Sequence, residues 1–221
     1  ISFGIKNKKS DIKFIKIKKN KKFYEIMVKQ NNSKIPFLTQ NEFRNNIYNI
    51  LSALSVMSLF IDISSLKKNI FLNFKIPDGR GNISILNINK KKIRLIDESY
   101  NSNPLSLKSA LLNYDKISSK KAKKFLLLGD MLELGNHSRK LHNSIVPIIN
   151  KTNIDKVYVK GKNVSGIFNK ISKSKRGKIL NNKSQIIELI KKGLDNNDYL
   201  MIKASNATGF NKIIKEIKRL N

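Results

Sequence analysis

Residues 82 to 221 alternate between short apolar segments and amphipathic segments, and this alternation constrains the fold more than any other feature of the chain. Segments typical of strands occupy residues 83–88, 93–96, 125–128, 157–159 and 199–203. Helical periodicity marks residues 104–117, 138–150, 164–171, 184–194 and 211–220. Because strands that alternate with helices pair in parallel, the sequence predicts an α/β domain with a mostly parallel, Rossmann-like sheet. The Gly-x-Gly-x-x-Gly turn is missing, so no dinucleotide-binding domain is expected.

Residues 1 to 81 follow a different pattern. Up to residue 38, short alternating segments separated by turns rich in Lys and Asn predict strands. Apolar side chains at three- and four-residue steps then predict a helix over residues 43–57, and a second helix is expected at 64–73. The turn-forming residues 77–81, Pro-Asp-Gly-Arg-Gly, predict a domain boundary. We therefore expect one α/β domain portion at residues 1–81 and a Rossmann-like domain at 82–221.

The formal net charge of +30 raises the alternative of a basic nucleic-acid-binding module, because such surfaces release counterions from phosphates. Only six of the 45 cationic residues are arginine, however, and base-reading proteins favour arginine for its bidentate geometry. The lysines are scattered, and Lys, Asn and Ile are enriched together, as an AT-rich genome would produce. We therefore expect solvated lysines and no nucleic-acid partner.

The residue types that are absent exclude several kinds of chemistry. Without cysteine the chain has no disulfide, no thiolate metal site and no cysteine nucleophile. No apolar run approaches the ~20 residues that a membrane-spanning helix needs, so membrane insertion is not expected. Neither a Ser/His/Asp triad nor a two-histidine metal spacing is apparent. The sequence thus offers no confident catalytic residue and no metal ligand.

Polar side chains concentrate where three of the predicted strands end. Residues 97–104 read Asp-Glu-Ser-Tyr-Asn-Ser-Asn-Pro, residues 128–135 read Leu-Gly-Asp-Met-Leu-Glu-Leu-Gly, and residues 203–206 read Lys-Ala-Ser-Asn. In open α/β sheets, ligands bind at the carboxyl ends of the strands. We therefore expect these three clusters to converge along one edge of the sheet and to form a binding site.

Simpler roles are open for several members of these clusters. Asn103 precedes Pro104 and is well placed to cap the following helix, alone or in addition to a binding role. Asp130 and Glu133 could cap or solvate a loop, and Lys203 could be one more surface lysine. His142 fits a partly buried helix histidine better than a catalytic one.

A further cluster lies in the first 81 residues. Asn45, Asn46 and Asn49 interrupt the early turns of the helix predicted over residues 43–57, where asparagine is unfavourable because its amide competes with the backbone. Carboxamides can read the edge of an adenine ring. The dipeptide Gly79-Arg80 adds a cation that could clamp phosphate oxygens.

Taken in order, these clusters resemble the Mur ligase family over essentially the whole chain. The family pattern His-Asn-x-x-Asn-Ala-Leu-Ala-Ala is similar to residues 45–53, with Asn in place of His, and its Gly-Arg linker to residues 79–80. Its Asp-Asp-Ser-Tyr-Asn-Ala-Asn-Pro loop resembles residues 97–104. Its Leu-Gly-Asp-Met-x-Glu-Leu-Gly is matched at every fixed position by residues 128–135, followed by Ser138 and His142. The closing Lys-Gly-Ser-Arg is matched only in part by residues 203–206.

The resemblance implies a domain assignment and a set of site residues. Residues 1–81 would be the end of the central ATP-binding domain, and residues 82–221 the C-terminal domain. The phosphate loop, the magnesium-binding acid and the modified lysine of such ligases would lie upstream of Ile1. The implied ATP-binding residues are Asn46 and Asn49 at adenine, Arg80 at the phosphates, and Glu98 or Asp97 at the ribose. The implied substrate-binding residues are Tyr100, Asn101, Asn103, Asp130, Glu133, Lys203 and Ser205.

The resemblance also implies a reaction. It is closest to the members that use ATP and Mg²⁺ to join D-alanyl-D-alanine to UDP-N-acetylmuramoyl-tripeptide, through an acyl phosphate, in peptidoglycan precursor synthesis. On that reading the protein is cytoplasmic and monomeric, and this stretch is inactive alone. The alternatives are another amide ligase of the superfamily, similar to folylpolyglutamate or cyanophycin synthetases, and the nucleic-acid-binding module.

Overall fold

The computed structural model describes residues 1–7, 9–20, 22–40, 44–74, 77–118 and 121–219. The chain divides into two compact units, Ile1–Lys75 and Ile76–Asn221. The turn-forming residues 77–81 thus fall within the second unit. None of the helices in the described ranges is long and apolar enough to cross a membrane.

The first unit is a four-stranded sheet and one helix. Its strands are β1 (Phe3–Gly4), β2 (Ile12–Lys19), β3 (Tyr24–Gln30) and β4 (Ser33–Thr39), in that spatial order. β1 runs parallel to β2, and the other neighbours are antiparallel. The helix α1 (Arg44–Met57) follows, and the predicted start of this helix at residue 43 lies outside the described residues. Buried side chains of the sheet, such as Ile26 and Phe37, pack with Leu51 and Leu54 of the helix.

The helix predicted over residues 64–73 is wrong. That stretch contains only a single 3-10 turn, Ile63–Ser65, followed by isolated turns. The Asp62 carboxylate accepts hydrogen bonds from the backbone N–H of Ser64 (2.8 Å) and from its hydroxyl (2.6 Å). Such local side-chain bonds offer the backbone an alternative to the helix. The aromatic ring of Phe71 instead packs edge-on against Phe37, with ring centroids 5.5 Å apart.

The second unit is a six-stranded sheet with helices on both faces. Its strands are β5 (Asn82–Ile88), β6 (Lys91–Glu98), β7 (Lys124–Gly129), β8 (Lys156–Lys160), β9 (Arg176–Ile179) and β10 (Tyr199–Lys203). Its α-helices are α2 (Pro104–Asp115), α3 (Ser138–Asn143), α4 (Val146–Lys151), α5 (Lys162–Ile167), α6 (Lys183–Glu188) and α7 (Phe210–Arg219). The strand order is β5-β6-β10-β7-β8-β9, with β5 antiparallel and all other neighbours parallel. The predicted α/β fold with a mostly parallel sheet is confirmed.

Three details differ from the sequence prediction. The strand β9 was not predicted, because its four residues Arg-Gly-Lys-Ile carry no apolar pattern. The helix predicted over residues 138–150 is two helices, α3 and α4. Pro147 lies in the first turn of α4, where its missing N–H costs nothing, and this position marks a helix start. The helix α6 passes into a π-helical turn, Leu189–Gly193.

Alternate residues along the strands divide between two cores. Leu95 and Ile202 pack with Ile214 of α7 on one side, whereas Ile96 and Met201 belong to the core that contains α2 and α4. All six residues of β7 are buried, as expected for a central strand covered on both faces. This double burial fixes the central strands in the middle of the unit.

One edge of this sheet is formed by β5, and the other by β9. The β5 side chains Leu86 and Ile88 are buried, but Ile83 and Ile85 are about half exposed, at 52% and 55%. No residue of β5 is charged. In a chain with 45 cationic residues, an uncharged edge strand of seven residues is unusual.

The register of the central strands aligns the ends that matter for function. Lys203, the last residue of β10, pairs with Glu98 of β6 on one side and with Leu128 of β7 on the other. The three strands therefore end at the same level. The loops that follow them, which carry the three predicted clusters, start side by side.

Candidate functional site

Lys203 lies at the centre of the carboxyl edge of the sheet. Its side chain is fully buried. The ammonium group donates to the backbone carbonyls of Asn101 and Glu98, the latter at 3.4 Å, and lies 3.7 Å from the Glu98 carboxylate. Burial lowers the pKa of Lys203, and Glu98 opposes that shift. The alternative that Lys203 is one more surface lysine is wrong, since its buried side chain holds the loop after β6.

Glu98 is the half-buried partner of Lys203. Burial raises the pKa of its carboxyl, and the positive charge of Lys203 lowers it again. The glycine at position 81 is required by its φ of 92°, and a Cβ there would lie 2.9 Å from Oε1 of Glu98. One of the two acids predicted to hold a ribose is therefore engaged within the protein.

Ser205 joins the loops of all three strands. Its hydroxyl donates to the carbonyl of Ser102 (3.2 Å) in the loop after β6 and accepts from the N–H of Leu132 (2.9 Å) in the loop after β7. Its backbone N–H donates to the carbonyl of Asp130 (3.1 Å). Because Ser205 is itself in the loop after β10, one buried side chain couples the three clusters. The predicted convergence of these clusters is thus seen in the structure.

Asp130 holds the start of α5. Its buried carboxylate accepts hydrogen bonds from the backbone N–H groups of Val164 (2.8 Å) and Asn163 (3.3 Å). Gly161 permits this approach, since a Cβ there would lie 2.5 Å from Oδ1 of Asp130 and its φ of 146° is unfavourable for other residues. The geometry corresponds to the capping role that was the simpler alternative for this residue.

His142 holds the loop that contains Asp130. Its buried ring accepts at Nε2 from the N–H of Met131 (3.0 Å), and its Nδ1 lies 2.8 Å from the carbonyl oxygen of Ser138. A carbonyl can only accept, so we assign the proton to Nδ1 and infer a neutral imidazole. The prediction of a buried helix histidine is consistent with this position. Its spacing four residues after Ser138 was the sequence signal for this contact.

Asn103 forms the N-cap of α2. Its side-chain oxygen accepts from the N–H of Ser106 (2.8 Å), and the Ser106 hydroxyl accepts from the N–H of Asn103 (3.0 Å). This reciprocal pair is a capping box. Four of the predicted substrate-binding residues (Asn103, Asp130, Lys203 and Ser205) therefore make internal contacts that shape the loops.

The other predicted substrate-binding residues face the solvent. Tyr100, Asn101 and Glu133 are exposed. Glu133 has a φ of 62°, which is unusual for a residue with a side chain and fixes the turn that presents it. These exposed side chains are available to a ligand at this edge.

The Gly79-Arg80 segment is attached to the same edge. The carbonyl of Gly79 accepts from the N–H of Tyr100 (3.1 Å), and the N–H of Gly81 donates to the carbonyl of Asp97 (2.7 Å). Gly79 has a φ of 78°, and a Cβ there would lie 2.8 Å from the backbone nitrogen of Tyr100. Arg80 is exposed, with its guanidinium carbon 4.4 Å from the centroid of the Tyr100 ring.

Asp97 faces a cavity of about 270 Å³. Its Oδ1 accepts from the N–H (3.1 Å) and the hydroxyl (2.7 Å) of Ser99, and its Oδ2 lies 3.9 Å from the ammonium group of Lys218. The cavity is also lined by Gly79, Tyr100 and residues of α7. Both carboxylate and ammonium groups are therefore presented to a polar ligand here.

The predicted adenine contacts belong to the first unit. Asn46 is buried, and its amide donates to the hydroxyl of Thr39 (2.8 Å). Asn49 is exposed on α1. The side chain of Asn45 lies outside the described residues. Within the described ranges, no group of three or more histidine and acidic residues could hold a metal ion.

Comparisons with known proteins show similarity along the whole chain. Residues 85–206 match the family model for "Mur ligase, glutamate ligase domain". The UDP-N-acetylmuramoyl-tripeptide–D-alanyl-D-alanine ligase of Rickettsia prowazekii is 31% identical over 199 residues, which cover 88% of this chain and 40% of that protein. The chain thus spans less than half the length of this relative.

Solved structures share the fold. The MurF ligase of Thermotoga maritima in complex with ADP superposes with a TM-score of 0.72 at 20% identity, covering 99% of this chain and 48% of that one. A MurF of Acinetobacter baumannii gives a TM-score of 0.76 at 18% identity, covering 99% and 46%.

Proposed function

Because the chain belongs to the Mur ligase family, we propose that it forms the C-terminal part of an ATP-dependent ligase that joins D-alanyl-D-alanine to UDP-N-acetylmuramoyl-tripeptide. The observation that carries the proposal is the convergence of three motif-bearing loops on Ser205 and Lys203. The name and sequence similarity of the Rickettsia relative support the choice of substrates. The proposal includes a monomeric, cytoplasmic enzyme of peptidoglycan precursor synthesis that does not bind nucleic acid.

For ATP we keep the contacts that the family resemblance implies, residue by residue. The exposed Asn49 is assigned to adenine. The buried Asn46 is assigned to adenine as well, through the side-chain N–H and oxygen that are not used in its bond to Thr39. The exposed guanidinium of Arg80 is assigned to the phosphates. The ribose hydroxyls are assigned to Asp97, because it faces the cavity whereas Glu98 is engaged by Lys203.

The magnesium ion expected for such a reaction finds no ligand set among the described residues. The described residues contain no cluster of histidine and acidic side chains that fits it. We therefore assign no step of the mechanism to a metal bound here.

The reaction needs two events at one place. A carboxylate of the tripeptide takes a phosphoryl group from ATP, and the amine of D-alanyl-D-alanine then attacks the acyl phosphate and displaces phosphate. The exposed Asn101 and Glu133 are assigned to the dipeptide. The buried Lys203 and Ser205 keep the loops in one conformation, so the dipeptide amine is held close to its target with less loss of entropy.

The test is an activity assay on the polypeptide extended through the coding sequence upstream of Ile1. We expect phosphate release that depends on ATP, on the tripeptide precursor and on D-alanyl-D-alanine. Arg80→Ala should lower kcat/KM for ATP about 10- to 100-fold, the range expected when a charge-assisted hydrogen bond is lost. Arg139→Ala, at an exposed arginine of α3, is the matched control and should leave the rate unchanged.

Two outcomes would contradict the proposal. An extended polypeptide that folds but releases no phosphate with these substrates would refute the assignment of the reaction. Activity with an amino acid such as L-glutamate, and none with D-alanyl-D-alanine, would place the chain among the other amide ligases of the superfamily.

A further inference from the structure

The guanidinium of Arg80 packs on an aromatic ring, and its positive charge also lowers the pKa of the nearby Glu98 carboxyl. It lies 4.4 Å from the centroid of Tyr100. None of the hydrogen bonds or salt bridges among the described residues involves its side chain. All five of its N–H donors are therefore available to a ligand.

The backbone on either side of Arg80 is fixed to the same loop. Gly79 accepts a hydrogen bond from Tyr100, and Gly81 donates one to Asp97. The close approach of Gly79 to Tyr100, where any Cβ would clash, leaves the main chain little room to shift. The freedom that remains to Arg80 is in its side-chain torsions, and the Tyr100 ring restricts these.

We propose that Tyr100 is a positioning residue for Arg80 in nucleotide binding. The inference rests on the proposed function, which assigns the ATP phosphates to Arg80. A guanidinium already stacked on a ring loses less side-chain entropy when phosphate binds, so the stack raises affinity without touching the nucleotide. The family resemblance instead places Tyr100 against the incoming dipeptide, and the two roles predict different kinetics.

The contact depends on the ring and not on the hydroxyl. The Tyr100 hydroxyl makes no hydrogen bond to any described residue, and the side chain is 47% exposed. Tyr100→Phe therefore keeps the stack, whereas Tyr100→Leu removes the π face but keeps an apolar side chain. Because Tyr100 is about half exposed, neither substitution leaves a buried cavity, so both variants should fold.

The first test is steady-state kinetics on the extended polypeptide. In Tyr100→Leu we expect KM for ATP to rise about two- to fivefold, the range of an exposed cation–π contact, with KM for D-alanyl-D-alanine unchanged. Tyr100→Phe should match the parent protein. In an Arg80→Ala background, Tyr100→Leu should have no further effect on KM for ATP.

Several results would overturn the proposal. A rise in KM for D-alanyl-D-alanine alone would assign Tyr100 to the dipeptide. An effect on KM for ATP that persists undiminished in the Arg80→Ala background would show that Tyr100 does not act through Arg80. Equal defects in Tyr100→Phe and Tyr100→Leu would assign the role to the hydroxyl.

The second test needs no activity. Phenylglyoxal modifies accessible guanidinium groups, and peptide mass spectrometry can follow Arg80 and the exposed Arg139 in the same sample. Tyr100→Leu should speed modification of Arg80 relative to Arg139, and Tyr100→Phe should not. Equal relative rates in all three proteins would refute the stack itself. A parent protein that shows the stack but no ATP-dependent reaction would refute only the proposed function.

Discussion

Replacing Lys203 by methionine should lower the free energy of unfolding of the second unit by about 3–5 kcal/mol. Methionine fills a similar volume, so the loss comes from the ammonium group. At 3.7 Å from the Glu98 carboxylate, the ion pair has a gross Coulomb energy of about 4–5 kcal/mol for an effective dielectric constant near 20. The backbone carbonyls of Asn101 and Glu98 would lose a donor as well.

Part of this loss should depend on pH. Burial raises the pKa of Glu98 above its ordinary value of 4.5, and Lys203 opposes that shift. Without Lys203 the folded pKa rises further, so the folded state binds the proton more tightly than the unfolded chain does. The stabilisation that comes from this tighter binding of the proton by Glu98 is present below pH 4.5 and is lost as pH rises through the folded pKa. The difference between Lys203→Met and the parent should therefore be smaller at pH 4.5 than in neutral solution.

The assay is urea unfolding followed by tyrosine circular dichroism, with the parent protein measured at each pH. Glu98→Gln in the Lys203→Met background removes the carboxylate that has lost its partner. It should restore the part of the free energy of unfolding that depends on pH, while the part lost at the two backbone carbonyls stays lost. A Lys203→Met penalty that is the same at acid and neutral pH, or a double variant no more stable than the single one, would refute this account of the pair.

Three smaller effects follow from other contacts within the second unit. His142→Ala should cost about 1–3 kcal/mol in urea unfolding, because the N–H of Met131 loses its acceptor. Asn103→Ala should cost about 1 kcal/mol through the lost cap, whereas Asn101→Ala, at an exposed neighbour, should change stability by less than about 0.5 kcal/mol. In a spectrophotometric alkaline titration Tyr114 should be the last tyrosine to ionise, because burial raises its pKa, and ionisation only together with unfolding is the expected behaviour.

The central strands were predictable because both their faces are buried. The limits of β10 were predicted to the residue, and β7 was predicted from an apolar run without alternation. The strand β9 carries no such signal. It exists because its backbone pairs with β8, and because Gly177 leaves room for the ring of Tyr158, which a Cβ would approach to 2.8 Å. Tertiary contacts of this kind are not encoded in local periodicity.

The position of the candidate site was predictable from the sequence. Which of its side chains hold the loops and which are exposed to a ligand was not. Parallel strands bring their carboxyl ends together, so the polar residues after β6, β7 and β10 had to converge. Which of those side chains face inward depends on contacts between loops. Lys203 and Ser205 are buried by groups about 100 residues away in sequence, at Asn101 and Ser102. No spacing rule within one motif could reveal that.

The uncharged outer strand β5 has a consequence for the behaviour of this chain in solution. Among the described strands β5 pairs with β6 alone, so it is an edge strand that carries the exposed Ile83 and Ile85, a combination prone to edge-to-edge self-association. A net charge of +30 repels other copies over long range, but the Debye length falls from about 10 Å at 0.1 M salt to about 3 Å at 1 M. Light scattering should therefore rise with ionic strength, and Ile85→Lys should suppress that rise. The excess of lysine, to which we assign no ligand, would then keep copies of the chain apart and oppose their association through β5.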